Sequence, residues 1–273
     1  MRVPIAGTGA PFLCSPSMTP ARSIPPTLRL VVAFLAGGSM PLATGCAEET
    51  EPTHVACIGD SITFGDGASA PGETYPAALQ GMLGSRTVVQ GFGHSGATAM
   101  GPGASNLPYE SQPEYAAATT FVAQAGEDAR VAVVVLLGAN DSKAALWDAP
   151  GRRERFRVDY ARLVDHFTSL PTHPTVYLAT PLGVGEHPCC GIRGDVLTHD
   201  ITPIVEKLAE ERRLPIVDLS TVVRGHPELL ADGVHPNDKG YEALAAKVKE
   251  ALASQPPKPQ GDRPWLRRLP FFH

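Results

Sequence analysis

Five short runs rich in Val, Ile or Leu recur along the chain, at 54–58, 87–90, 131–137, 175–180 and 214–219. Their apolar stretches are near-continuous rather than alternating, which is the signature of strands buried on both faces in a parallel sheet. Helical periodicity lies between them. Phe156, Tyr160, Leu163, Val164 and Phe167 predict a helix over 152–169, and Tyr241, Leu244, Ala245, Val248 and Leu252 predict another over 237–253, capped by Asn237. A third, over 195–213, carries Leu197, Ile201, Ile204, Val205 and Leu208 but meets Pro203, where it must bend or begin anew. Strand, helix, strand repetition of this kind winds into a three-layer α/β/α domain around a doubly wound parallel sheet of about five strands. The domain is expected over 53–253, behind a linker at 46–52 and ahead of a tail over 254–273 that holds Pro256, Pro257, Pro259 and Pro264.

The first 45 residues are of a different kind. Arg22 and Arg29 precede an apolar stretch from Leu30 to Leu42, which is shorter than the roughly 20 residues that a membrane-spanning helix needs. It runs into Leu42-Ala43-Thr44-Gly45-Cys46, which resembles a bacterial lipobox and implies cleavage before Cys46 with lipidation of its thiol. Ordinary secretion with cleavage nearby is the alternative, and Met18 is an alternative start. On either reading residues 1–45 are a signal segment and the protein is exported, in the first case to the periplasm, outer membrane or cell surface. Membrane contact is then expected only through the lipid anchor. All 28 acidic residues follow this segment and the net charge is −5, so nucleic acid, which is bound by clustered positive charge, is not an expected partner.

Removing Cys14 with the signal and assigning Cys46 to lipid leaves Cys57, Cys189 and Cys190. A bond from Cys57 to one of the adjacent pair is one reading; a small buried thiol at Cys57, inside a strand, is the other. No metal-ligand spacing is present among the cysteines or among His54, His166, His173, His187, His199 and His226, so no metal is expected.

In doubly wound sheets ligands bind beyond the carboxyl ends of the strands. Those ends carry Gly59-Asp60-Ser61-Ile62-Thr63, Gly91-Phe92-Gly93-His94-Ser95-Gly96, Gly138-Ala139-Asn140-Asp141 and Asp232-Gly233-Val234-His235. They supply a hydroxyl, a glycine amide, a carboxamide, and a carboxylate with an imidazole, the inventory of acyl transfer. Ser61 is a poor nucleophile unless a base such as His235 reaches it, and Asp232, three residues earlier, can orient that ring. The amides of Ser61 and Gly93 and the side chain of Asn140 can meet the negative charge that builds on the carbonyl oxygen. Taken singly, each has a bland role: Ser61 and Thr63 as helix caps, Asn140 or Asp141 likewise, Asp232 as a turn residue. Ser95 is a rival nucleophile, but Gly101, Pro102 and Gly103 forbid the helix that should follow a serine elbow at once.

These four segments, in this order, resemble the blocks of the SGNH hydrolase superfamily, the GDSL-type esterases and lipases. The resemblance implies a flavodoxin-like fold and ester hydrolysis without metal or cofactor. It makes Ser61 the nucleophile, His235 the base, Asp232 its partner, and Ser61, Gly93 and Asn140 the oxyanion site. Gly138-Ala139-Asn140-Asp141-Ser142-Lys143, Trp147 and Thr180-Pro181 look similar to the bacterial branch associated with carbohydrate and sialate O-acetyl esters. One departure stands out: relatives usually carry Asn two places before the glycine of the second block, where this chain has Gly91. The expected activity is hydrolysis of short acyl esters, acetyl above all, of carbohydrates or small alcohols. A surface glycan- or ligand-binding module on the same sheet, holding ligand with the same polar residues and doing no chemistry, is the alternative.

Overall fold

A computed structural model of the chain describes residues 52–126 and 129–257. The expected signal segment 1–45, Cys46, the rest of the linker to residue 51 and the tail beyond 257 lie outside the described residues. Among the described residues no helix is long and apolar enough to cross a membrane.

The strands β1 (His54–Gly59), β2 (Val88–Gly93), β3 (Val131–Leu136), β4 (Thr175–Ala179) and β5 (Ile216–Val217) form one sheet in the order β2-β1-β3-β4-β5. Every neighbouring pair is parallel. Alternation along the strands explains the two flanking layers, because successive side chains leave opposite faces. Ala56, Ile58, Val133, Val135 and Val176 face a layer built from α3 (Pro113–Ala123), α5 (Arg152–Thr168) and α7 (Thr202–Arg212). Val55, Cys57, Val134, Tyr177 and Val217 face α2 (Tyr75–Leu83) and α8 (Asp238–Ser254). With both faces covered, each fully buried aliphatic side chain contributes about 1.5–3 kcal/mol. Short helices α1 (Ser61–Phe64), α4 (Ala144–Trp147) and α6 (Gly194–Val196) lie after β1, β3 and β4.

The expected helices over 152–169 and 237–253 are α5 and α8, and Asn237 caps α8 by accepting from Gly240 N at 3.1 Å. The stretch 195–213 departs from a simple helix. Between α6 and α7 the backbone widens into a π-helical turn at Leu197–Ile201, and Pro203 sits in the first turn of α7. Proline has no N–H to give, and the wider turn places it where none is needed. β5 is shorter than the apolar run at 214–219, since Pro215 contributes its carbonyl, accepting from Leu178 N at 3.0 Å, but no donor. Cys57 makes no cross-link: it is fully buried and free, and burial pushes its thiol up to about 12. Cys189 and Cys190 are disulfide-bonded to each other instead.

The register brings Gly59 opposite both Gly93 and Leu136, so the ends of β2, β1 and β3 lie level. The segments after them therefore open onto one rim of the sheet.

Candidate active site

Ser61 reaches the rim by a tight turn. A Cβ on Gly59 would come within 2.1 Å of Thr63 Oγ1 and 2.6 Å of the Leu136 carbonyl, so only glycine lets β1 close onto α1 and β3 here. Asp60 then caps α1, its Oδ1 accepting from Ile62 N at 3.1 Å. Ser61 follows as the first residue of α1, buried except for a small exposed fraction.

The partner loop between β5 and α8 folds around one carboxylate. Asp232 Oδ1 accepts from Val234 N at 3.0 Å and His235 N at 2.8 Å, while Oδ2 lies 2.7 Å from His235 Nδ1. Partial burial pushes the Asp232 carboxyl up, but these hydrogen bonds and the neighbouring imidazole outweigh it and hold the group below its ordinary value. An ionised carboxylate only accepts, so the ring proton sits on Nδ1 and leaves Nε2 to accept. Nε2 stands 2.9 Å from Ser61 Oγ, across 174 residues of chain. The fold thus aligns Asp232, His235 and Ser61 in a single row of hydrogen bonds, an arrangement able to draw the proton from a serine hydroxyl.

Asn140 comes from the turn after β3 and is buried. Its Nδ2 donates to the Ala97 carbonyl at 3.1 Å and more weakly to Asp60 Oδ2 at 3.4 Å. Gly93, the last residue of β2, packs so closely on α1 that a Cβ would lie 2.1 Å from Phe64 N. Ser61, Gly93 and Asn140 thus stand at or just beyond the ends of three adjacent strands, β1, β2 and β3. Ser95 stands apart from this row, its Oγ donating to Asp66 Oδ2 at 2.8 Å. His94 is half-buried with Nδ1 3.0 Å from Glu114 Oε2.

Two features were invisible to spacing. Asp141 is fully buried and accepts from Ala99 N at 2.9 Å and Met100 N at 2.8 Å, pinning the loop that supplies the Ala97 carbonyl. Burial pushes it up to about 7, with those two N–H groups opposing; burial likewise pushes Asp60 up to about 6 against the Ile62 N–H and the charges of His235 and Lys143. The second feature is a cluster beside the row. Cys189, Asp232 and His235 present ligand atoms that all lie within 4.8 Å of one another. Asp232 and His235 share one loop, but Cys189 comes from another, 43 residues before Asp232, which chain spacing cannot register. Beside them a groove of about 810 Å³, lined in part by Leu182, Gly185, Glu186, Asp218, Arg224 and Leu230, runs along the ends of β4 and β5.

A profile of the GDSL-like lipase/acylhydrolase family matches residues 57–243. An acetylxylan esterase of Xylanibacter ruminicola is 30% identical over 225 residues, an alignment covering 76% of this chain and 44% of that protein. The chain therefore spans less than half the length of that relative. Among solved structures, the inhibitor-bound aryl esterase of M. smegmatis superposes with a TM-score of 0.58 at 21% identity, covering 74% of this chain and 99% of that one. A carbohydrate acetylesterase family member from Sinorhizobium meliloti does so with a TM-score of 0.55 at 21% identity, covering 74% and 98%. At those identities the two structures speak to the fold alone. The matched span includes Ser61, Gly93, Asn140, Asp232 and His235 together, and the chain belongs to the GDSL-like lipase/acylhydrolase family.

Proposed function

We propose that this chain is a serine esterase that removes short acyl groups, acetyl above all, from carbohydrate esters through an acyl-enzyme. The observation that carries this reading is the row Asp232–His235–Ser61, with separations of 2.7 and 2.9 Å. The acetylxylan esterase relative supports a carbohydrate ester as substrate.

In this mechanism Ser61 Oγ attacks the ester carbonyl while its proton passes to His235 Nε2, and the carbonyl π-electrons move onto oxygen. The amides of Ser61 and Gly93 and the Nδ2 of Asn140 receive that oxyanion. As it collapses, the bond to the sugar oxygen breaks and His235 returns the proton to the departing alcohol. A water molecule then repeats the sequence on the acyl group, giving up a proton to His235, and the carboxylic acid leaves with Ser61 restored. Asp232 stays ionised throughout and stabilises the imidazolium.

Ser61→Ala is expected to remove about 10⁴-fold or more of p-nitrophenyl acetate turnover, about 5 kcal/mol of barrier, with the melting temperature nearly unchanged. Parent-like hydrolysis by that variant overturns the assignment. A binding module has no need of an imidazole in hydrogen-bond reach of a serine, and failure of a fluorophosphonate probe to label Ser61 is the result that would favour it.

A further inference from the structure

Cys189 lies against the Asp232–His235 pair, and the proposed reaction does not use it. It stands at the turn after Pro188, and its N–H donates to the Asp232 carbonyl at 3.2 Å. Its Sγ lies 3.2 Å from Asp232 Oδ2 and 3.8 Å from His235 Nδ1, and those two atoms are 2.7 Å apart. Zinc bonds of about 2.0–2.3 Å to N, O and S place tetrahedral ligand atoms roughly 3.4–3.6 Å from one another. The three observed separations bracket that range, and Asp232, half exposed, has room to open the shortest of them. In the structure Sγ of Cys189 is tied to Cys190. A disulfide sulfur is neutral and a weak ligand, whereas a thiolate is a strong one for soft divalent cations.

We propose that reducing the Cys189–Cys190 disulfide creates a site for a thiophilic divalent cation of the zinc type on Cys189 Sγ, Asp232 Oδ2 and His235 Nδ1, and that a cation held there inactivates the enzyme. A water-soluble phosphine supplies the two electrons: it breaks the S–S bond, water provides the oxygen of the phosphine oxide and the protons, and two thiols result. On binding, the Cys189 thiol releases its proton to solvent as the metal–sulfur bond forms. The metal also takes the lone pair at Nδ1, so the proton of a neutral imidazole must reside on Nε2. Nε2 then faces Ser61 Oγ as a donor, with no lone pair to accept the serine proton. The block is therefore a change of tautomer at the base and needs no movement of the serine.

Only the inactivation rests on the esterase reading; the cation site does not. Protein reduced with phosphine and desalted anaerobically, alongside untreated protein, is titrated with cadmium while the ultraviolet thiolate-to-cadmium charge-transfer absorption is followed, and with zinc while p-nitrophenyl acetate hydrolysis is followed. Each rate is normalised to the same protein's metal-free rate. The reduced parent is expected to show a cadmium band that is lost in Cys189→Ser and absent from oxidised parent. Its zinc inhibition should be at least about tenfold tighter than that of oxidised parent or of Cys189→Ser, since even an outer partner of a metal ligand is worth about 10–100-fold in affinity. Cys190→Ser, which cannot form the disulfide, should be inhibited without any reductant. Equal inhibition of oxidised and reduced parent, inhibition persisting in Cys189→Ser, or a Cys190→Ser variant as resistant as oxidised parent would each overturn the proposal. Should the metal-free parent hydrolyse no ester at all, the esterase reading falls, and the cadmium titration still decides the site.

Discussion

Asn140 has two amide hydrogens and, at rest, two acceptors of unequal quality. The bond to the Ala97 carbonyl at 3.1 Å fixes the carboxamide, while the 3.4 Å contact with Asp60 is long enough to be given up. In the proposed mechanism a forming oxyanion takes that second hydrogen in place of the long contact with Asp60, so the donor is expected to strengthen in the transition state. Asn140→Ala is accordingly expected to lower kcat by about 10²–10³-fold, about 3–4 kcal/mol, with KM little changed. Steady-state kinetics on p-nitrophenyl acetate checks it, and a loss confined to KM would remove Asn140 from the oxyanion site. Asn140 itself was legible from its place after a strand. Its tether to Ala97 was not, because that carbonyl is 43 residues away, on a loop that Asp141 pins through the Ala99 and Met100 amides.

At the scale of elements, the end of β2 and the start of α1 are in mutual contact. An added Cβ on Gly93 would lie 2.1 Å from Phe64 N and 2.5 Å from Thr63 C, both backbone atoms, so a rotamer change cannot relieve the clash. Gly93→Ala must push α1 away, and Ser61 travels with it. Overpacking of this kind costs about 1–3 kcal/mol. The variant should therefore melt lower and also lose turnover, because a small displacement of Oγ from Nε2 spoils the proton transfer. Thermal denaturation read beside kcat tests this, and parent-like values of both would mean that the strand end has slack. The long helices were readable from their apolar spacing, as α5 and α8 show. The π-turn at Leu197–Ile201 was only half readable: Pro203 announced a disturbance, but whether the chain would kink or widen depended on what Ile201 and Val205 pack against.

Over the whole molecule, two buried carboxyls tie the rim to the pH. Asp60 and Asp141 titrate at about 6 and about 7 because burial disfavours their charge, against about 4 in an unfolded chain. Between those values the folded protein holds more protons than the unfolded one, so their contribution to stability is largest in acid and is lost as pH rises from about 4 towards 7. Asp141→Asn keeps one acceptor for the Ala99 and Met100 amides where the parent has two, and it does not titrate. The parent should exceed it in melting temperature most at about pH 4, and the gap should narrow towards pH 7. A gap that stays constant over this range would show that Asp141 does not carry the effect.

The sequence by itself determined the strands, the principal helices, the sheet class and the identity of the groups at the strand ends. Those follow from local rules: side-chain period, turn chemistry, and the place that a parallel sheet reserves for ligands. Tertiary structure alone decided that His235 meets Ser61, that Cys189 pairs with its neighbour and lies against Asp232, and that Asp60 and Asp141 are desolvated. Each of these is set by how several loops pack over one rim, and neither distance across space nor exclusion of water is written in the order of residues along the chain.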